Sequence, residues 1–301
     1  MADVYAKSIQ FGTGGDVLRF LPLVSADDNG KILMVTGGEW GAGYVIEPEP
    51  EYEIVSWATG TDEQIAAMII AADYGLINLS DYWTVGDERT VHLSAMAATG
   101  VGESHVEQDI KLILMDTACQ GFSLVSATHS GRLTPSFIVG MKNSLQEEGY
   151  MNSTDINTNG WSGCSRRTWC NEAFRLAVPS TLRGIFKQFK WKQGQGGGVS
   201  SGLLETSDYF GLAPEQAVFG TDGYSMSDES ALYSQWEWYQ TKDNQIKRLG
   251  EDGSGVFASW WCSSPLSDDN TSFCYCRYFM NSMAGSAEAN SMFGISPFGC
   301  I

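Results

Sequence analysis

The spacing of apolar positions predicts one clear amphipathic helix at 61–74, in the segment TDEQIAAMIIAADY. Apolar residues recur there at helical intervals, which places them on a single face; they are Ile65, Met68, Ile69 and Ala72. Thr61 and Gln64 have the spacing of a capping box, and Gly75 is placed to end the helix. The apolar face indicates a helix that packs against the protein core.

Short runs of β-type residues predict most of the other elements. A strand is expected at 31–35, and Trp40 is expected to open a second strand after a turn at 36–39. The pair Gly86-Asp87 lies between two β-type runs and is a hairpin signal. Further strands are expected in DIKLILMD (109–116), in SFIVGM (136–141) and at the start of ETSDYFGLAPEQAVFG (205–220), which ends as a short helix.

Helical patterns return at 165–178 and 180–189, with Pro179 in the first turn of the second helix. The segment QGQGGGVSSG at 193–202 reads as a flexible loop. Few helices, many short strands and long irregular loops together predict an α+β fold. Long loops in a compact domain usually carry function.

Three regions follow from these patterns. Residues 1–50 are expected to form a small β module with little core of its own, which needs a partner for stability. The stretch EPEPE at 47–51 reads as a stiff, extended acidic segment, and residues 51–80 are expected to be an acidic linker and the short helix. Residues 81–301 are expected to form the main domain.

Charge and hydropathy exclude two classes of protein. The net charge is −18, with 18 basic residues scattered among 36 acidic ones, so no basic face for nucleic acid is expected. No stretch approaches the roughly 18 consecutive apolar residues of a membrane span, so no membrane insertion is expected. The start, MADVYAKSIQ, lacks the pattern of a secretory signal.

The cysteines near the end of the chain leave several interpretations open. Cys262, Cys274, Cys276 and Cys300 have spacings that do not match the C-x2–4-C pairs of zinc sites. On an extended strand the Cα atoms of Cys274 and Cys276 are about 6.5–7 Å apart, at the limit for a disulfide. Either could reach Cys262 or Cys300, but buried or half-buried thiols are the simpler expectation, since the chain has seven cysteines.

No catalytic group, metal site or cofactor is expected from the remaining motifs. A cysteine nucleophile needs a base, and no motif places a histidine near these thiols. The sequence has no G-x-S-x-G motif, and its glycine-rich stretches lack the Lys-Ser/Thr ending of a phosphate loop. The acidic cluster SDDN at 267–270 lacks the spacing of a calcium loop and is expected to be a solvated loop.

Seven segments in a fixed order, over about 220 residues, carry a family resemblance. They are DYWTVGDERTVHLSAM, IKLILMD, FIVGMKNSL, NGWSGCSRRTWCNEAFRLAVPSTL, DYFGLAPEQAVFG, SWWCSSP and FGISPFGCI. Together they resemble the DUF6273 family of gut bacteria and their phages. The resemblance implies a fold related to the C-type lectin and formylglycine-generating-enzyme type.

The chain departs from the family pattern at two arginines. Family members often read WWLRSP and end in GVRPAF, whereas Cys262-Ser263 and Ser296 stand at those places here. The resemblance implies a scaffold role for the positions that are kept, which are Trp260, Trp261, Pro265, Gly294, Pro297 and Phe298.

A second resemblance lies in FLPLVSADDNGKILMVTGGEWGA at 20–42, which is similar to a short module near the start of phage fibre proteins, including head-fibre proteins. The two resemblances together imply a non-enzymatic virion fibre that is made in the host cytoplasm, released by lysis and located on the particle surface. Residues 1–50 would attach to other virion proteins of the capsid or tail and form a homotrimer. The main domain would bind a bacterial surface protein or glycan.

Two alternatives remain open at this point. One is a capsid head-fibre or decoration protein with weak, general adhesion. The other is an enzyme of the formylglycine-generating type.

The candidate contact surface is the loop and strand region 262–282. Its residues are Cys262, Ser263, Ser267, Asp268, Asp269, Asn270, Ser272, Tyr275, Arg277, Tyr278, Asn281 and Ser282. Because strand side chains alternate, only one of Tyr275 and Tyr278 is expected to face outward. From 262 to 291, 18 of 30 residues are Ser, Asn, Cys, Tyr, Asp or Gly. That composition suits adaptable binding loops and is consistent with a region diversified by a retroelement.

Overall fold

The structure, a computed structural model, describes residues 31–36, 39–44, 50–97, 101, 104–221, 223–250, 255–279 and 283–301. The chain divides into two compact units, 1–49 and 50–301. In the first unit, strand β1 (Lys31–Thr36) pairs antiparallel with β2 (Glu39–Tyr44), and Thr36 lies opposite Glu39. Both strands predicted in this region are confirmed, and the linker at 47–49 lies outside the described residues.

Helix α1 (Asp62–Asp73) forms as the sequence pattern predicts. Thr61 caps it, and both bonds of the capping box with Gln64 are present. Gly75 follows the helix with φ of 79°, a left-handed conformation that favours glycine. The buried face of α1 joins Trp57 in the core of the larger unit. The segment 51–80, predicted as a linker with a short helix, lies within the larger unit.

The strands of the larger unit are short. In chain order they are β3 (Glu88–Leu93), β4 (Gln108–Asp116), β5 (Ser123–Leu124), β6 (Ile138–Met141), β7 (Phe189–Gly194), β8 (Leu203–Asp208), β9 (Phe210–Leu212), β10 (Lys247–Arg248), β11 (Phe257–Ala258), β12 (Trp260–Pro265), β13 (Ser272–Cys276), β14 (Ala284–Glu288) and β15 (Pro297–Cys300).

The helices after α1 are also short. They are α2 (Ser165–Trp169), α3 (Arg175–Ala177), α4 (Ser180–Ile185), α5 (Glu215–Phe219) and α6 (Ser227–Ser230). A π-helical turn, Cys170–Phe174, joins α2 to α3. Single 3-10 turns occur at Leu79–Asp81, Gly160–Gly163, Glu237–Gln240 and Lys242–Gln245. The fold is α+β, as the sequence predicts.

The main sheet has five antiparallel strands in the order β3-β4-β6-β15-β9. Its fourth strand, β15, comes from the last residues of the chain and pairs with β6 on one side and β9 on the other. Two three-stranded sheets, β5-β7-β8 and β12-β13-β14, and the pair β10-β11 complete the strand pairing among the described residues.

The hairpin predicted at Gly86-Asp87 does not form. β3 pairs instead with β4, and the first of the two β-type runs is not a strand. Trp83 in that run is buried and donates its indole N–H to the Val55 carbonyl at 2.8 Å. The Asp87 carboxylate accepts the backbone N–H of Thr84 at 2.9 Å, so the polar side chain closes a local turn here.

An aromatic cluster surrounds Phe298 of β15. Its ring centroid lies 5.0–5.5 Å from those of four other buried rings, Phe122, Phe189, Trp191 and Trp236. The six residues that the resemblance assigns to the scaffold are all buried. Phe298, on the last strand of the chain, therefore packs inside the hydrophobic core.

A buried carboxylate, Asp208 at the end of β8, connects the helical segment to this core. It is 1% exposed and accepts five side-chain hydrogen bonds, each between 2.7 and 3.2 Å, from Trp161, Trp191, Thr206, Arg167 and Asn171. A buried carboxylate needs this many donors to offset its lost hydration.

Candidate binding surface

The predicted contact region contains one long hairpin, in which β12 and β13 pair antiparallel. Every residue of β12 is buried, and so is Ser272 at the start of β13. Ser263 accepts a hydrogen bond from the Gln193 amide inside the core, and the Ser263 backbone N–H is bonded to Ala213. Of the predicted contact residues, Cys262, Ser263 and Ser272 therefore do not face solvent. The first two lie on β12, which is covered on both faces, and Ser272 is buried at the start of β13.

All seven cysteines are buried thiols rather than disulfides. Burial raises the pKa of Cys262, Cys274 and Cys300 well above the ordinary value of 9.0. Reactive cysteines have the opposite properties, a lowered pKa and solvent access. Among the residues that the structure describes, no group of three or more His, Cys, Asp or Glu side chains is placed to hold a metal ion.

The turn of the hairpin, residues 266–271, is held by Asp269. One oxygen of its carboxylate accepts the backbone N–H groups of Thr271 and Ser272, each at 2.7 Å. Burial raises the pKa of Asp269, but the bonds from Thr271 and Ser272 outweigh this and hold it below its ordinary value. Asp268, with φ of 59°, and Asn270 are exposed, while Ser267 and Asp269 are half-buried. The acidic cluster at 267–270 is thus part of the hairpin turn, and its Asp269 stabilises that turn.

The two tyrosines of the region lie in different environments. Tyr275 is half-buried and stacks on Phe293, with ring centroids 4.4 Å apart, and its edge meets Trp261. Tyr278 lies beyond the end of β13 and is exposed. Arg277 between them is half-buried, with its guanidinium 5.7 Å from the Tyr275 ring.

Exposed apolar side chains gather around Tyr278. We call this set the aromatic patch; its members are 42–68% exposed and are Val256, Phe257, Tyr278, Phe279 and Met283. The rings of Phe257 and Tyr278 are nearly parallel, with an angle of 4° and centroids 6.5 Å apart. Phe279 meets Tyr278 edge-on at 5.1 Å, and the guanidinium of Arg248 covers one face of Phe257 at 3.8 Å.

The aromatic patch and the 266–271 turn are separate surfaces. The five residues of β13 lie between them, which corresponds to about 16 Å of extended chain. The predicted contact residues are therefore not brought together: Ser267, Asp268, Asp269 and Asn270 lie at one end, and Tyr278 at the other. Asn281 and Ser282 lie outside the described residues.

A groove of about 630 Å³ adjoins the aromatic patch through Val256. Its lining includes Glu107, Asp109 and Lys111, so both signs of charge are present.

Sequence reasoning missed Val256 and Phe257, since an apolar pair before SWWCSSP reads as a strand entering the core. The glycines on either side of Ser254, in GSGVF, were the available signal that this segment lies at the surface.

No helix among the described residues is long and apolar enough to cross a bilayer.

Comparison with known proteins identifies the family alone. No curated protein and no solved structure matches the chain. The sequence profile of DUF6273, described as a domain of unknown function, matches residues 136–301, more than half of the chain. The chain therefore belongs to the DUF6273 family.

Proposed function

We propose that the chain is a bacteriophage virion fibre protein whose larger unit is a lectin-type domain that binds the surface of a host bacterium. The observation that carries this proposal is the aromatic patch. Contiguous exposed apolar side chains beside an arginine are typical of interaction sites on soluble proteins. Tyrosine and arginine are also among the residues that contribute most binding energy at interfaces.

The arrangement of the patch suits a flat or shallow ligand. The rings of Phe257 and Tyr278 are nearly parallel, and the guanidinium of Arg248 covers one face of Phe257. Planar aromatic faces bury large areas with few rotatable bonds, so they lose little conformational entropy on binding. A sugar ring or a protein loop of the bacterial surface fits this chemistry. The resemblance to lectin-type domains supports the same choice.

The N-terminal unit supports a role in attachment and assembly. Its described part is a single two-stranded antiparallel sheet, β1-β2. An isolated hairpin of this kind is marginally stable in water and gains stability from further strands or a partner. The similarity of 20–42 to phage fibre modules indicates virion proteins and two further copies of this chain as the partners.

Of the two alternatives, the enzyme receives less support from the observed chemistry. The burial and raised pKa of the thiols favour structural roles for the cysteines over an enzyme of the formylglycine-generating type. A capsid head fibre with general adhesion would carry the same patch, and immunogold labelling of particles distinguishes head from tail.

Removal of the patch rings is expected to weaken binding to bacteria by roughly tenfold to a hundredfold, the range of interface residues with large contributions. The measurement is the binding of fluorescently labelled chain to a panel of gut bacteria, for wild type, Phe257→Ala and Tyr278→Ala. Tyr82→Ala is the matched control, because Tyr82 is 45% exposed and lies outside the patch. Equal binding by Tyr278→Ala and Tyr82→Ala would refute a role for the patch.

The full chain is expected to sediment as a trimer, whereas a chain that starts at residue 50 is expected to sediment as a monomer. The physical reason is that the larger unit has its own core, while the β1-β2 sheet needs a partner. Analytical ultracentrifugation of both chains checks this. A full chain that remains monomeric at micromolar concentration contradicts the assembly role of the first unit.

A further inference from the structure

A second surface feature, distant in sequence from the aromatic patch, is a cationic cavity. It lies between α3, α4 and Tyr209, the residue that links β8 to β9. It has a volume of about 300 Å³. Three basic side chains line it, Arg175, Arg183 and Lys187, and its lining contains no acidic residue. This concentration of positive charge stands out in a chain whose net charge is −18.

Arg175 is the least compensated of these cations. Its guanidinium lies over the ring of Tyr209 at 3.8 Å, and its buried Nε has no hydrogen-bond partner among the described residues. The ion pairs of the described part of the chain include neither Arg175 nor Arg183. Arg183 donates to the Leu176 carbonyl at 3.1 Å, which uses one of its five N–H groups.

Lys187 and a neighbouring cavity complete the site. Lys187 is paired with Asp73, so it contributes only part of its charge. A second cavity of about 340 Å³ shares Arg175, Gln188 and Tyr209 with the first. In that cavity Arg167 is already paired with Asp208, at 2.8 Å, and Glu172 is a second acidic residue of the lining. The uncompensated charge therefore lies on the side of Arg175 and Arg183.

We propose that this cavity binds an oxyanion group, a carboxylate or a phosphate, carried by an acidic polysaccharide of the bacterial surface. The oxyanion specificity rests on the cavity alone, and the choice of a polysaccharide as carrier rests on the proposed adhesive function. Guanidinium groups match the geometry of carboxylate and phosphate through paired N–H bonds. A volume of about 300 Å³ is at the lower end for ligand sites and suits a single sugar unit.

The site differs from the aromatic patch in what it selects. The patch offers apolar area, whereas the cavity offers donors to an anion. Two carriers have the required chemistry: polymers of hexuronic acid, which present carboxylates, and polymers of glycerol phosphate, which present phosphodiesters. Both place an anionic group at each repeating unit, so a trimer of either suffices as a probe.

The test is calorimetric titration of the full chain with trigalacturonate, with a trimer of glycerol phosphate and with neutral galactotriose. Arg175→Gln and Arg183→Gln are each expected to weaken binding of the acidic probe by roughly tenfold, the loss of one charge-assisted contact. Lys242→Gln is the matched control, because Lys242 is exposed and lies outside the cavity. Binding by one acidic probe but not the other supports the proposal and names the carrier.

Three results would overturn the proposal. They are equal binding of galactotriose, absence of binding by both acidic probes, and equal losses in Arg183→Gln and Lys242→Gln. If Arg175→Gln fails to fold, Arg183→Gln decides the question, since Arg183 is half-buried and its side chain donates to one carbonyl, that of Leu176. Tyr278→Ala is expected to keep full affinity for the acidic probe. Failure of the cavity is thereby distinguishable from failure of the aromatic patch.

Discussion

Replacement of Asp208 by alanine is expected to lower the free energy of unfolding by about 3–5 kcal/mol, the loss typical when one partner of a buried charged network is removed. One carboxylate oxygen accepts the indole N–H groups of Trp161 and Trp191 and the hydroxyl of Thr206. Both tryptophans are at most 2% exposed, so no water replaces the lost acceptor.

Urea unfolding followed by tryptophan fluorescence measures this loss. Asp208→Asn is expected to lose less than Asp208→Ala, because an amide oxygen can still accept from the two tryptophans. Some loss is still expected, since the NH₂ group replaces the oxygen that accepts from Arg167 and Asn171. Asp243→Ala is the control, since Asp243 is exposed and its removal is expected to change stability by less than about 0.5 kcal/mol. A loss below about 1 kcal/mol for Asp208→Ala would show that the network contributes little.

A second large effect is expected in the pH dependence of stability, through Glu229. Burial raises the pKa of this carboxyl from its ordinary value of 4.5 to about 7, although bonds from Ser264 and the Gly194 backbone N–H partly oppose the rise. The native state therefore holds a proton that the unfolded state releases. The contribution of Glu229 to the free energy of unfolding is fully present below pH 4.5 and is lost as the pH rises through 7. The contribution is roughly 3 kcal/mol at about 1.4 kcal/mol per pKa unit.

Glu229→Gln isolates this contribution, because glutamine cannot ionise and has nearly the same shape as the protonated acid. The measured quantity is the difference in free energy of unfolding between wild type and variant, at pH 5 and pH 8. The wild type is expected to lose stability relative to Glu229→Gln over this interval. Glu237→Gln, at an exposed position, is the control, and its free energy of unfolding should show the same pH dependence as that of the wild type. Parallel curves for wild type and Glu229→Gln would contradict burial of an ionisable Glu229.

The local parts of the fold are the parts that the sequence predicts well. Helix α1 follows from the spacing of Ile65, Met68 and Ile69, together with the Thr61–Gln64 capping box. All of this information lies within one short segment. The hairpin predicted at Gly86-Asp87 is wrong because a turn signal does not specify which strands it joins. β3 finds its partner in β4 across an intervening loop, and only tertiary packing selects that pairing.

The position of the last strand is beyond sequence reasoning for the same reason. β15 lies between β6 and β9, so residues 297–300 pair with segments at 138–140 and 210–212. No local pattern encodes such distant neighbours. The aromatic cluster around Phe298 shows the physical cause, since these rings bury their area only when β15 occupies this place.

The sequence predicts the exposure of some side chains in the candidate surface and not of others. The exposed Tyr278 and the half-buried Tyr275 agree with the expectation that one ring of the two faces outward. Cys262 and Ser263 belong to the contact surface that the polar composition of 262–291 predicts, whereas both lie on a strand that is covered on both faces. Pairing of β10 with β11 places Arg248 opposite Phe257, and the Phe257 ring lies parallel to that of Tyr278. The sequence reveals neither contact.

The proposal that the aromatic patch contacts the host is tested most directly by the adsorption rate of phage particles that carry the chain with Phe257→Ala and Tyr278→Ala together. Adsorption to the propagating bacterium is expected to fall at least tenfold, relative to parental particles and to particles with Tyr82→Ala. Immunoblotting of purified particles verifies that the altered chain is present in normal amount. Unchanged adsorption by particles that carry the doubly altered chain would contradict the proposal.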